Sequence, residues 1–212
     1  MTTPAPGLRE RKKQRTRQTL SDTAVRLFLE KGYDKVSVAE VAAAAEVSKP
    51  TLFRYFPAKE DLVLHRFADH EDEAARVVAG RAAGEAPVEA LRRHFLDGIE
   101  RRDPVTGLCD HPAVLAYQEL LYGTPALVAR LAGYRERSEL ALAEALGGGS
   151  AVEARLAAGQ IVAVQRILAE ENVRRIRNGE AADAVEADAV RAAEVGFRQL
   201  AEGLPGRSAG HT

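Results

Sequence analysis

Gly32-Tyr33-Asp34-Lys35-Val36-Ser37-Val38-Ala39-Glu40-Val41-Ala42, continued by Val47-Ser48-Lys49-Pro50-Thr51-Leu52-Phe53-Arg54-Tyr55-Phe56 and Lys59-Glu60-Asp61-Leu62, reads as two short helices joined by a tight turn. Ser37 with Glu40 three residues on is a capping box, which starts a helix. Val38, Val41, Ala42 and Ala45 give that helix one apolar side. Ser48 is the next N-cap, and Pro50 is tolerated only in a first turn. The second helix therefore spans about 49–55. Such a pair is a helix-turn-helix, whose second helix can enter the major groove of DNA.

Helical geometry sorts the faces of that second helix. Leu52 and Phe56 lie one turn apart and form the core side. Pro50 and Arg54 lie opposite, flanked by Thr51 and Phe53. A proline, an aromatic, a small hydroxyl and an arginine suit base methyls, base edges and phosphates. The competing reading is an ordinary surface helix with one exposed aromatic.

Residues 10–63 resemble the N-terminal domain of the tetracycline-repressor (TetR) family of bacterial transcription regulators. The matching positions are Gly32-Tyr33, Ser37-Val38, Val41-Ala42, Ala45, Val47-Ser48, Thr51-Leu52-Phe53, Tyr55-Phe56, Lys59-Glu60 and Leu62. The resemblance implies an all-helical homodimer that binds operator DNA and releases it when a small molecule binds. Carried over by position, DNA contacts fall on Ser37, Lys49, Pro50, Thr51, Phe53, Tyr55 and Lys59, with Ser48 at the helix start. Geometry favours Arg54 where the family favours Tyr55, and both are kept, Tyr55 as the phosphate contact. Two positions depart from the family. Phe53 stands where a tyrosine is commoner, and Ala58 where a capping serine is common, so the next helix should start less firmly.

Charge distribution agrees with a DNA-reading head. The whole chain has a net charge of −1, but residues 1–63 hold twelve Lys and Arg against eight Asp and Glu, a net of +4. The remainder holds eighteen against twenty-three, a net of −5. A basic head on an acidic body suits DNA binding with a separate sensing region. Within the head, Lys12, Lys13 and Arg15 belong to a cationic cluster from Arg9 to Arg17 at the start of a first helix, 8–31. The helix dipole disfavours cations there, and phosphate contact would offset that cost. The other reading is a solvated basic face. Leu20, Ala24, Leu27 and Phe28 form the apolar stripe of the same helix.

The 212 residues, 46% apolar and 29% charged, suit one or two soluble domains. We expect an all-α fold of about nine helices. A three-helix DNA-binding domain (8–63) is joined by a fourth helix, which begins after Pro57 and runs to about Val78, to a helical ligand-binding and dimerisation domain (64–204). His65 and His70 lie on that fourth helix, five residues apart and off one face, so a solvated face is expected and no metal site. Further helices are expected over 87–102, 112–123, 124–146, 150–177 and 183–203. Ser150 with Glu153, and Asp183 with Glu186, are read as caps. Residues 1–7 and 205–212 read as loose termini.

No hydrolase, dinucleotide-binding, zinc-protease or di-iron pattern is present, so neither an enzyme nor a cofactor is expected. The single Cys109 allows no internal disulfide and fits a reducing cytoplasm, with an inert thiol favoured over a redox sensor. No apolar run spans a membrane. The rival class is a helical small-molecule carrier or adaptor that binds no specific DNA. The expected effector is a small apolar or acyl-type molecule. Phe95, Ile99, Leu115, Leu121, Tyr122, Leu131 and Tyr134 would surround it, Gln118, Gln165 and Arg166 would orient it, and Arg166 would suit an anionic head group. These residues also read as plain core and plain surface. Val190, Ala193, Phe197 and Leu200 form the expected dimer stripe, with burial inside one chain as the alternative.

Overall fold

The computed structural model describes residues 7–68 and 70–203. The expectations for residues 1–6 and 205–212 fall outside these. Every regular element among the described residues is helical: α1 (Leu8–Lys31), α2 (Val38–Ala44), α3 (Lys49–Tyr55), α4 (Lys59–Ala68), α5 (Glu73–Ala79), α6 (Pro87–Glu100), a 3₁₀ turn (Pro104–Thr106), α7 (Pro112–Gly123), α8 (Pro125–Leu146), α9 (Ala151–Arg177) and α10 (Ala182–Glu202). The chain forms two compact units. One holds the described residues up to 68 together with Ala116–Tyr134, and the other holds His70–Leu115 and the described residues from Arg135 onward. Both α7 and α8 are single helices shared between the two units.

The core of the first unit follows the sequence stripes. Leu20, Ala24, Leu27 and Phe28 of α1, Val41 and Ala42 of α2, Leu52 of α3, then Phe56, and Leu62, Val63 and Leu64 of α4 are all buried together. Tyr117, Leu121, Leu127 and Leu131 of α7 and α8 complete it. Two hydroxyls reach the backbone of α4: Ser21 donates to the Leu62 carbonyl at 2.8 Å and Tyr117 to the Val63 carbonyl at 2.7 Å. Burial drives the Tyr117 hydroxyl well above its ordinary range, so it stays a donor.

One expected helix is two. The run 59–78 breaks into α4 and α5, with Asp72 leaving helical geometry (φ −103°, ψ 10°) ahead of Glu73. The acids of this run would repel one another within one helical turn. They take cationic and imidazole partners. Glu71 accepts from the Arg137 guanidinium at 2.8 and 3.1 Å, and Glu73 pairs with His70 at 2.7 Å and His94 at 3.2 Å. A second expectation also fails. His65 is not solvated: it is buried in the first unit, edge-on to Phe56 with ring centroids 5.4 Å apart.

The second unit buries Leu91, Phe95 and Ile99 of α6 against Val185, Ala189, Ala193 and Phe197 of α10. Its α9 starts at the expected capping box, with Ser150 accepting from the Glu153 amide and the Glu153 side chain from the Ser150 amide. The expected Asp183 and Glu186 cap is absent. Both carboxylates pair with Arg102 of the segment after α6, at 2.6 and 2.8 Å, and the first turn of α10 is held by Asp110, which accepts from the Ala182 amide at 3.0 Å. Cys109 is a buried free thiol. Among the described residues no helix is long and apolar enough to cross a membrane, and no group of His, Cys, Asp and Glu is placed to hold a metal ion.

The turn after α6 is the tightest joint of this unit. Gly107 has φ +75°, and a Cβ built there would stand 2.1 Å from the Ala169 carbonyl oxygen of α9. Asn172 of α9 donates to the Thr106 carbonyl at 2.8 Å beside it. A side chain at 107 therefore meets backbone and also needs a left-handed conformation. Gly107→Ala is expected to destabilise the protein by about 3 kcal/mol, combining steric and backbone strain, and to lower Tm by several degrees in thermal unfolding.

Candidate nucleic-acid interface

The helix-turn-helix is built by local chemistry. The Ser37 hydroxyl accepts from the Glu40 amide at 3.1 Å, and the Glu40 carboxylate accepts from the Ser37 amide at 3.1 Å and from Lys31 at 3.1 Å. Those donors, the Ser37 amide first, hold the Glu40 carboxyl below its usual range. The turn passes through Glu46, a non-glycine residue with φ +56°, at a cost of about 1 kcal/mol. Closure by the Val47 amide on the Ala42 carbonyl at 2.9 Å offsets part of that. The Ser48 hydroxyl then caps α3 by accepting from the Thr51 amide at 3.3 Å, and it also hydrogen-bonds the Thr51 hydroxyl at 2.9 Å.

Burial divides the candidate contact residues. Leu52 and Phe56 point inward, as their spacing required. Lys49, Pro50, Phe53 and Arg54 are exposed, and so are Ser37, Ser48, Lys12, Lys13 and Arg15. Phe53 is 39% exposed, unusual for a phenylalanine with no partner helix over it, and the Lys49 ammonium stands 5.8 Å from its ring centre. Thr51 and Tyr55 are half-buried. Tyr55 packs on the core of the first unit, and the Arg54 guanidinium lies 5.8 Å from its ring centre. The exposed face of α3 thus presents two cations held beside two aromatic rings, next to a helix N-terminus whose free amides favour anions.

Lys59 does not join this face. Its ammonium donates to the Tyr33 carbonyl at 2.6 Å and lies 4.0 Å from the Tyr33 ring centre and 5.2 Å from that of Phe28. The Tyr33 hydroxyl donates to Glu60 at 2.9 Å, and burial together with that carboxylate pushes the phenol well above its ordinary range. Lys59 is therefore a strut between the start of α4 and the end of α1.

The other expected sites divide differently. Gln118, Leu121, Tyr122, Leu131 and Tyr134 belong to the first unit, while Phe95, Ile99, Leu115, Gln165 and Arg166 belong to the second. Leu121 and Leu131 are core of one unit, and Phe95 and Ile99 core of the other, where the Phe95 and Phe197 rings pack at 5.8 Å. They do not wall one cavity inside either unit. Tyr134 turns its hydroxyl to Asp61 at 3.4 Å. Tyr122 is exposed, Leu115 and Gln165 are half-buried, and Arg166 is already paired with Glu170 at 2.7 Å, so it is not the free cation an anionic head group needs. Gln118 differs: it is buried, and its Oε1 has no hydrogen-bond partner.

The expected dimer stripe is also corrected. Ala193 and Phe197 are buried within the single chain, at 0% and 1% exposure, and Val190 and Leu200 pack on the same core. The alternation that suggested an interface is the α10 side of the packing against α6 and α9. The exposed apolar residues of these helices are Val152, Leu156 and Ile167 on α9 and Val195 on α10. Sequence reasoning passed over them because they lie off the main stripes.

Residues 20–65, which hold α2, α3 and their supports, match the family model described as bacterial regulatory proteins, tetR family. This stretch of the chain is thus similar to the N-terminal part of tetR-family regulators. It is 37% identical over 135 residues to the HTH-type transcriptional regulator TcmR of Streptomyces glaucescens, a match covering 63% of this chain and 58% of that relative. It is 27% identical over 118 residues to the HTH-type transcriptional repressor LfrR of Mycolicibacterium smegmatis, covering 55% and 61%. The chain thus aligns with little more than half the length of these two relatives. Among solved structures, NalD of Pseudomonas aeruginosa superposes with a TM-score of 0.56 at 16% identity, over 86% of this chain and 97% of that one. GusR of Salmonella enterica gives 0.53 at 19% identity, over 89% and 95%. These two likenesses show that the helical fold is shared over most of the chain.

The geometry separates Lys59 from the other candidate contact positions. Lys59→Ala is expected to lower the thermal stability of the protein while leaving the salt dependence of DNA binding unchanged. A thermal melt read beside a salt titration of DNA affinity checks both.

Proposed function

We propose that this protein is a ligand-responsive, DNA-binding transcription regulator that reads a palindromic operator as a homodimer and leaves it when a small molecule binds. The observation that carries the reading is the exposed face of α3. Lys49, Pro50, Phe53 and Arg54 project from a helix that Ser48 caps and Leu52 anchors, and the exposed cations of α1 belong to the same unit. Lys49, Thr51, Phe53, Arg54 and Tyr55 then meet the major groove, and Lys12, Lys13 and Arg15 meet flanking phosphates. The names of TcmR and LfrR, a regulator and a repressor, support the same reading. Arg54→Ala or Lys49→Ala is expected to weaken binding to a selected duplex by about 1–3 kcal/mol. Lys12→Ala weakens all duplexes alike and lowers the salt slope by about one. Affinity measured at several salt concentrations separates the two outcomes.

One helix-turn-helix makes too few base contacts for tight binding, so two heads are needed. The dimer surface is the outward side of α9 and α10, where Val152, Leu156, Ile167 and Val195 are exposed. Ile167→Asp is expected to yield a folded monomer by light scattering, whereas Phe197→Asp, in the core, unfolds the chain instead of dissociating it.

The effector is a small, largely apolar molecule with a hydrogen-bond donor for the unpaired, buried Oε1 of Gln118. Such a molecule releases DNA only if it prefers the arrangement of heads that does not fit the operator.

A further inference from the structure

We propose that Arg130, on α8, is a positioning residue for the DNA-reading helix: by holding Asp61 it completes the start of α4 and so fixes where α3 ends. The inference rests on the DNA-binding reading above and concerns a contact that none of the helix-turn-helix residues makes. It begins with a defect. A capping box needs a hydroxyl at the N-cap and an acceptor three residues on. At α4 the first partner is missing, because Ala58 stands in its place. The second partner is present: the Asp61 carboxylate accepts from the Ala58 amide at 3.1 Å.

That carboxylate is buried, 5% exposed, and a lone buried charge would be costly. Its compensation comes from 69 residues further along the chain. The Arg130 Nε donates to Oδ1 at 2.9 Å and the Arg130 terminal nitrogen to Oδ2 at 3.1 Å, a two-pronged bond. Tyr134, one turn on, donates to Oδ1 at 3.4 Å. Asp61 must be oriented to serve the Ala58 amide, and the two-pronged Arg130 bond orients it while offsetting the cost of its burial. Only Phe56 and Pro57 stand between the end of α3 and Ala58. The orientation of the contact face is thus tied to a residue that lies outside the helix-turn-helix. It lies on α8, a helix that continues without a break from Pro125 to Leu146.

The test uses the full chain and a duplex that the wild-type protein selects from a random-sequence pool, beside an arbitrary duplex of equal length. Arg130→Ala is expected to weaken the selected duplex about tenfold and to leave the arbitrary duplex at low salt unchanged, since the α1 cations are untouched. Arg130→Lys keeps the charge but not the fork, and should fall between. Hydrogen exchange at the amides of Ala58 and Asp61 should quicken in the same order. Equal loss on both duplexes, no loss on either, or unchanged exchange would overturn the proposal. If Arg130→Ala does not fold, Arg130→Lys carries both readouts, and wild-type behaviour in it is then the overturning result. If the wild-type protein selects no duplex, the DNA reading fails on its own, while hydrogen exchange still decides whether Arg130 holds the start of α4.

Discussion

The first unit is organised by bonds to the backbone of one helix. Carbonyl oxygens have a second lone pair beyond the one used inside a helix. At Leu62 and Val63 of α4 those spare sites are taken by the hydroxyls of Ser21 and Tyr117, which come from α1 and α7. Both bonds are buried, where a lost partner would leave an unsatisfied group at about 1–3 kcal/mol. They fix α4 along its length and about its axis, which apolar packing alone does not. The aromatic clasp of Phe28 and Tyr33 on Lys59 adds a third point at the helix start.

Much of this was legible in the sequence. Stripes of period 3.6 named Leu20, Ala24, Phe28, Val41, Leu52 and Phe56 as core, and all are buried. Local capping signals placed α2, α3 and α9 correctly, because a capping box is complete within four residues. Three of the failures share one cause: a partner outside the residue's own helix. Lys59 looked like a surface cation until Tyr33 and Phe28 folded over it. His65 looked solvated until Phe56 packed on it. Asp183 and Glu186 looked like caps, but Arg102, about eighty residues earlier, pairs with them.

The α10 stripe failed for another reason. Apolar periodicity reports that a face is covered, not by what. Phe197 is covered by α6 of its own chain, through Phe95. At Gly196 of α10 an added Cβ would meet Val164 of α9 at 2.9 Å. Val195 and Ile167 stay exposed, in positions that a stripe count assigns to solvent. The apolar candidates for the effector site suffered similarly: Leu121, Leu131 and Tyr134 serve one core, and Phe95, Ile99 and Leu115 the other.

The division of the chain has a consequence for protein engineering. Reading the sequence alone, one would transplant the DNA-reading part by cutting after about residue 63. The compact unit that contains it also claims Ala116–Tyr134, including the donors to Asp61 and to the Val63 carbonyl. A graft ending in α4 would carry a buried carboxylate stripped of its cation and a core lacking Tyr117, Leu121, Leu127 and Leu131. Chimeras that exchange specificity between relatives of this protein would therefore join better if that internal segment travelled with the N-terminal one, as two pieces of a single discontinuous module.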